Sequence, residues 1–469
     1  MLAMKVLLVQ SYLGQSGNFP VYPLGLAYIS TALYHKGHTV QIFDPNIAAL
    51  PYENLKESIC RFSPEIIGIS LRNIDNQHRI APFYYYTYFQ RILEIIKKTD
   101  PGIKVVVGGS GFSMFAEKIM KRNESIDFGL YLEGEESFPE LLENLNKPDS
   151  VSGIYFRRKG EVLFTGYRPL PDFRKLSIPQ RDFIDISPYL DHLESLGIQT
   201  KRGCPLKCTY CNYPQLSGNK VRIREVKSVC DEIEYLIKQF GIKHFMFSDG
   251  VFNMPLNHAK EICEEIIKRT LKVKWSAWME IKHAKKDFLL LAMKAGCVSI
   301  TFSPDGVSQN ALDGLQKELR EKDVKDSLNL FISDKNIRNL NVTYSVFVNP
   351  PGETFLGFLK TIIFFIKAKL YLYGRGNVFL NWIRLEPETK ALQYGIEKGD
   401  INKDIELLPD NEKGLRKLFY SNSPVKYLDF LIIATFRFLL LLKIILIKLG
   451  LKRPKIIDVD EKEDKYDSN

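Results

Sequence analysis

The chain is poor in the features that mark secreted, disulfide-stapled or nucleic-acid-binding proteins. It has only seven cysteines in 469 residues. Three of them fall within positions 204–211 and four are scattered. That distribution does not suit a disulfide framework; it suits a metal site in a reducing compartment. Residues 1–10 are a short basic and apolar stretch, without the long apolar region and small-residue cleavage site of a signal peptide, so a cytoplasmic protein is expected. Zinc-finger spacings, RNA-binding aromatic motifs and a long basic arm are all missing. The net charge of +10 and pI near 9 therefore point away from nucleic acid, leaving an anionic membrane or an acidic substrate as partners. There is no short-period repeat.

What is present is the composition of a globular protein, 45% hydrophobic and 26% charged, long enough for two to four domains with sizeable cores. Over residues 1–150, apolar runs at 5–10, 39–43, 65–70, 104–107 and 128–132 alternate with helical periodicity at about 23–36, 82–98, 114–122 and 136–146. Short apolar runs separated by helices predict a parallel sheet in an α/β domain of the flavodoxin-like, doubly wound kind, whose ligand lies beyond the carboxyl ends of the strands. Residues 151–195 are irregular and rich in proline and arginine, and read as a linker. A second series follows over 196–395, with strands expected at 197–200, 243–248, 273–279, 297–302, 341–348 and 377–383. Six such units in a row predict a partial (β/α)6 TIM-like barrel with its chemistry at the strands' carboxyl ends.

The remainder, 396–469, is a C-terminal region with an apolar helical segment at 430–449 and a charged tail. The segment FLIIATFRFLLLLKIILIKL has about the length of a membrane span. Arg437, Lys443 and Lys448 interrupt it, which favours a helix lying in the membrane interface over one that crosses it, with a buried helix as the alternative.

The sharpest signal is KRGCPLKCTYC, residues 201–211. Thiolates are the usual ligands of iron–sulfur clusters. Cys204, Cys208 and Cys211 can hold three irons of a 4Fe–4S cubane from one loop and leave the fourth iron open to the amine and carboxylate of a small molecule. A structural zinc site would want four protein ligands, and neither Cys230 nor His192 stands at a familiar zinc spacing. The other cysteines, Cys60, Cys230, Cys263 and Cys297, read as small apolar packing residues.

RGCPLKCTYC closely resembles the cluster loop of the radical S-adenosylmethionine (SAM) superfamily, and further resemblances follow in the family's order along the chain. FMFSDGVFN (245–253) is similar to the second-strand motif, which carries contact with the methionine amino group to Ser248, Asp249 and Gly250. ITFSPDG (300–306) resembles the fourth-strand motif and makes Asp305 the ribose candidate, although the family often has Gly-x-Glu-Ser there. VFVNPPGET (346–354) and LEPETKAL (385–392) resemble the fifth- and final-strand segments, and Tyr210 matches the aromatic beside the adenine.

The amino-terminal stretch PLGLAYISTALYHKGHTVQIFD (23–44), with VVVGGSGFS (105–113) and LEGEESFPELLENL (132–145), resembles the cobalamin-binding domain fused to such barrels. The resemblance sets Gly108, Gly109, Ser110, Glu133 and Gly134 against the cofactor. The Asp-x-His-x-x-Gly motif, whose histidine ligates cobalt, is missing. The loop SLRNIDN (70–76) instead brings Arg72 and Asn73 to the strand edge where the corrin is expected. A guanidinium is a very poor metal ligand, so Arg72 beneath cobalt would keep the reduced metal nucleophilic; a loop arginine paired with a surface carboxylate is the alternative.

The resemblance as a whole implies a cobalamin-dependent radical SAM methyltransferase, in which a methyl group passes from SAM through methylcobalamin to an unactivated centre by a 5′-deoxyadenosyl-radical mechanism. Two alternatives remain open: a cyclase or rearrangement enzyme with the same cofactors, and a non-catalytic iron–sulfur and cobalamin-binding protein. Implied partners are an external electron donor such as flavodoxin or ferredoxin, and a lipid or small natural product as substrate.

Overall fold

The computed structural model of the chain describes residues 3–14, 19–421, 427–428 and 432. Two parallel sheets follow one another along it. The first holds β1 (Lys5–Gln10), β2 (Thr39–Phe43), β3 (Ile66–Ser70), β4 (Lys104–Gly108) and β5 (Phe128–Leu130), joined by β6 (Ile154–Arg158) and β7 (Glu161–Phe164). Their order is β2-β1-β3-β4-β5-β6-β7. The first five strands pair in parallel, as in a flavodoxin-like sheet, and β6 and β7 are antiparallel. Strand periodicity explains why both faces are covered. Leu7 and Val9 of β1 enter one core with Ile67, Ile69, Val105 and Val107, under the helices Pro51–Phe62 and Tyr85–Thr99. Val6 and Leu8 enter the opposite core, with Leu26 and Leu33 of the helix Leu24–His35 and Phe138.

The hairpin β6–β7 departs from the linker reading of 151–195. Lys159 (φ 50°) and Gly160 (φ 86°) both sit in the left-handed region at its turn, the geometry a two-residue hairpin requires. The sequence carried that signal in RRKGEV, but the arginines on the exposed side hid the strand alternation. Beyond the hairpin, residues 165–195 run largely without regular structure apart from the short turn Ser187–Tyr189.

The second sheet contains β8 (Gly197–Ile198), β11 (His244–Phe247), β12 (Lys274–Met279), β13 (Cys297–Asp305), β14 (Asn341–Phe347) and β15 (Gly376–Asn381), in the order β15-β14-β13-β12-β11-β8. Every pairing is parallel, and β8 and β15 form the two edges, as in an open (β/α)6 barrel. Between β8 and β11 a small ribbon, β9 (Lys201–Arg202) against β10 (Arg222–Ile223), frames the cysteine loop.

The chain then returns to the first sheet. Leu408, Leu415 and Leu418 join the core of its β1–β3–β4 face, and Arg122 donates to the Leu408 carbonyl at 2.8 Å. Residues 401–421 thus strap the barrel to the first sheet. The segment 430–449 lies outside the described residues apart from Ile432, which packs with Leu428 on the cluster of Val348, Phe358, Trp382 and Phe419.

Candidate active site between the two sheets

The carboxyl ends of the two sheets bound two neighbouring cavities. One, of about 270 Å³, is lined by Cys204, Cys208 and Cys211 together with Tyr210, Gly250, Trp278 and Glu280. The cysteine loop is held at its corners: the Cys204 amide donates to Gly218, the Thr209 amide to Leu315, and the Ala391 amide to Thr209. All three thiols face the cavity, and burial pushes the Cys211 thiol up to about 12. Such thiols do not ionise unaided; bound iron would displace their protons. Among the described residues no three His, Cys, Asp or Glu side chains converge on a single ion. A cubane asks for divergence instead, because each thiolate caps a different iron. The donor set therefore fits a 4Fe–4S cluster.

The structure places the other expected SAM contacts less uniformly. Gly250 lines the thiol cavity. Asp249 turns away from it: its carboxylate accepts from the Thr200 amide (2.7 Å), the Thr200 hydroxyl (2.6 Å) and Lys201, and is buried. Its position below β8 is that of a brace for the strand that launches the cysteine loop. Ser248 stands against Gly197, where an added Cβ would come within 2.4 Å of its hydroxyl. Asp305 ends β13 in the left-handed region (φ 60°). Its carboxylate accepts from the Tyr210 hydroxyl at 2.5 Å and pairs with Lys317 at 2.5 Å. Burial raises the Asp305 carboxyl and the Lys317 ammonium opposes that rise. Asp305 thus fixes Tyr210, within the cysteine loop itself. Lys317, which also opposes the upward push of burial on Cys208, was not singled out from the sequence; no motif marked it.

The second cavity, of about 240 Å³, opens at the carboxyl ends of β1, β3 and β4. Gly68, Gly108, Gly109, Ser110, Glu133 and Gly134 line it over an apolar floor that includes Leu26 and Phe138. An added Cβ at Gly25, also in the wall, would meet nothing within 4 Å and would stand in the opening. Gly109 has a different reason to be glycine: at φ 101° an added Cβ would strike the Leu71 carbonyl at 2.7 Å. It lets the loop after β4 pack against the loop after β3, where Ser110 donates to the Arg72 carbonyl. A smooth slot of this kind, beyond the strand ends of a doubly wound sheet, fits the tail of a large flat cofactor. Glu133 shares its wall, but its carboxylate is held by Arg202 (2.8 Å) and Arg222, so it ties the first sheet to the β9–β10 ribbon.

Arg72 has solvent access, yet protein surrounds it closely enough that desolvation lowers its pKa. Among the described residues its side chain has no hydrogen-bond or ion-pair partner, so the surface-pair alternative is not what the structure places there. Asn73 lines a small recess with Asp75, Gln77, Arg384 and Glu386. Gln77 donates to Glu386 at 2.6 Å, and burial raises the Glu386 carboxyl to about 7. Tyr213 belongs to the walls of both large cavities.

Comparison with known proteins agrees with this division. Residues 12–142 match the B12 binding domain and residues 198–364 the Radical SAM superfamily. An uncharacterised methyltransferase of Pyrococcus horikoshii is 26% identical over 311 residues, 65% of either chain. The anaerobic magnesium-protoporphyrin IX monomethyl ester cyclase of Rubrivivax gelatinosus is 28% identical over 332 residues, covering 67% of this chain and 57% of that one. The matches thus span under two thirds of these two relatives. Among solved structures, the radical SAM methyltransferase TsrM of Kitasatospora setae, with cobalamin and a [4Fe-4S] cluster bound, superposes with a TM-score of 0.72 at 22% identity over 84% of this chain and 76% of that one.

Fold and site together define a cobalamin-binding domain ahead of a radical SAM domain. Residues 12–142 belong to the first family and residues 198–364 to the second, and the cofactors of these domains are cobalamin, a 4Fe–4S cluster and SAM.

Proposed function

We propose that this enzyme transfers a methyl group from SAM, by way of cobalamin, to an unactivated centre of its substrate. The observation that carries the reading is the single shared wall. Tyr213 borders both the thiol-lined cavity and the glycine-lined one, so the two cofactors would face each other across one side chain. Bound together, they supply a methyl carrier and the one-electron cleavage of SAM that yields a 5′-deoxyadenosyl radical.

The chain's own residues hold and orient. Cys204, Cys208 and Cys211 hold the cluster, with Gly250 and Tyr210 in the walls around SAM. Asp305 and Lys317 keep Tyr210 in place, and the Glu133–Arg202–Arg222 group fixes the distance between the domains. Arg72, on the loop after β3 beside the glycine-lined cavity, would offer bound cobalamin a cation that cannot ligate. Gly108, Gly109, Ser110 and Gly134 make room for the nucleotide tail.

An external one-electron donor such as flavodoxin or ferredoxin, and peripheral membrane contact through 430–449, complete the proposal. A lipid or small natural product is the substrate class it favours. The cyclase alternative draws its support from the Rubrivivax relative. Anaerobic reconstituted enzyme given reduced cobalamin and methyl-deuterated SAM separates the two. A methyltransferase forms S-adenosylhomocysteine and places the label on the corrinoid. Cleavage of SAM to 5′-deoxyadenosine without any S-adenosylhomocysteine would rule methyl transfer out.

A further inference from the structure

The helix Phe355–Tyr371, which follows β14, is apolar on two sides. Phe358, Thr361, Phe364 and Ala368 are buried against the barrel. On the opposite side Phe355, Leu356, Leu359, Ile363, Ile366 and Leu370 are exposed, Leu356 and Leu370 by 71% each. At 100° per residue these six fall within one arc of about 100° running the length of the helix, roughly 25 Å. A helix that is apolar all round needs cover on both sides, and a contiguous apolar patch on a folded surface marks an interaction site.

Charge identifies the cover. From Phe355 to Asn381 there is no acidic residue, while Lys360, Lys367, Lys369 and Arg375 are cationic. Lys360 is paired with Glu321 of the preceding α-helix at 2.8 Å, but Lys367, Lys369 and Arg375 leave the strip with a net cationic rim, which suits an anionic lipid surface. The chain beyond the described residues continues the pattern. Leu428 and Ile432 leave beside Phe358 and Ile362 of this helix, and the apolar run that follows carries Arg437, Lys443 and Lys448. That run is apolar at almost every position, so one strip on the barrel could cover only part of it; a bilayer accommodates both. No described helix is long and apolar enough to cross a membrane, so the helix would lie on the surface.

We propose that the outer face of Phe355–Tyr371 is a membrane-docking surface of the catalytic barrel. The helix starts directly after the loop at the carboxyl end of β14, the catalytic end of the sheet. Docking along its length lays the flank of the barrel on the bilayer and sets the catalytic mouth, at the start of the helix, beside the lipid surface, where a lipid-borne substrate would be met. This deepens the peripheral contact proposed above for 430–449, and the test separates the folded helix from the terminal segment.

Holoenzyme is sedimented with vesicles of phosphatidylcholine and phosphatidylglycerol at 3:1. The full chain carrying Leu356→Asp, Ile363→Asp and Leu370→Asp should lose at least tenfold in vesicle partition while keeping its cluster absorbance, because all three side chains are exposed. The full chain carrying Leu440→Asp and Ile445→Asp should keep measurable, salt-sensitive binding. As a check independent of those variants, Ile363→Trp should gain fluorescence that brominated phosphatidylcholine quenches. Unchanged binding of the triple variant, or an unquenched Trp at 363, overturns the docking face and leaves contact through 430–449 intact. If the native chain ignores vesicles altogether, both readings fall. Conversion of a dimer to a monomer by the triple variant, without vesicle binding by the native chain, would reassign the face to self-association.

Discussion

Arg384, just beyond β15, reaches across to the loop after β3 and places its Nη2 3.1 Å from the Asp75 carboxylate, both side chains about 5% exposed. The pair joins the barrel to the cobalamin domain, 309 residues apart in sequence. It lies beside the recess that Asn73 and Glu386 share. Removing one partner strands the other charge in the interior. Asp75→Asn should therefore cost about 3 kcal/mol or more of folding stability, and the double variant with Arg384→Gln should recover part of it. Urea denaturation of the four proteins in the cycle measures the coupling; additive losses would show that the pair does not hold the domains together.

The cluster assignment is tested by spectroscopy. Anaerobically reconstituted native protein should carry one 4Fe–4S cluster, and the variant with Cys204, Cys208 and Cys211 all changed to alanine should carry none. A full cluster absorption and paramagnetic spectrum in the triple variant would contradict the assignment.

Arg72 gives a signature that a purely structural residue would not. Cob(II)alamin bound to the native protein should show no axial-nitrogen superhyperfine splitting in its paramagnetic spectrum. Arg72→His should introduce that splitting. Splitting already present in the native protein would mean that a nitrogen ligand reaches cobalt from elsewhere.

Glu386 makes stability fall with rising pH. Its folded-state pKa, about 7, stands above the ordinary glutamate value of 4.5 because burial disfavours the anion. The folded state thus binds the proton more tightly than the unfolded one. The contribution is complete below about pH 4.5 and is lost as pH rises through 7, a change of at most about 3 kcal/mol. Urea midpoints at pH 5 and pH 8 should differ less for Glu386→Gln than for the native apoprotein; identical differences would remove this carboxyl as the cause.

Much of the fold was legible because periodicity is local. The apolar runs at 5–10, 39–43 and 104–107 became β1, β2 and β4 nearly residue for residue, and the six runs of the second half became the barrel strands. The hairpin at 154–164 was not legible through its arginines, nor was the return of 401–421 onto the first sheet, which depends on contacts some 300 residues apart. At the site, the cysteine spacing and Gly250 found their cavity. Asp249 and Asp305 did not face it, because a carboxylate after a strand reads the same in sequence whether it meets a ligand or an amide of its own chain. Lys317 becomes visible only once β13 brings Asp305 to Tyr210.

The short helix Tyr213–Ser217 has a practical consequence. Its first amide donates to the Cys211 sulfur at 3.4 Å, and Tyr213, Leu216 and Ser217 form part of the wall of the glycine-lined cavity. With both cofactors bound as proposed, this one short helix would answer to an iron ligand on one side and border the vitamin on the other. Air damage to the iron site should be felt as leakage of the corrinoid, and enzyme purified aerobically would need its cluster rebuilt before its vitamin is restored.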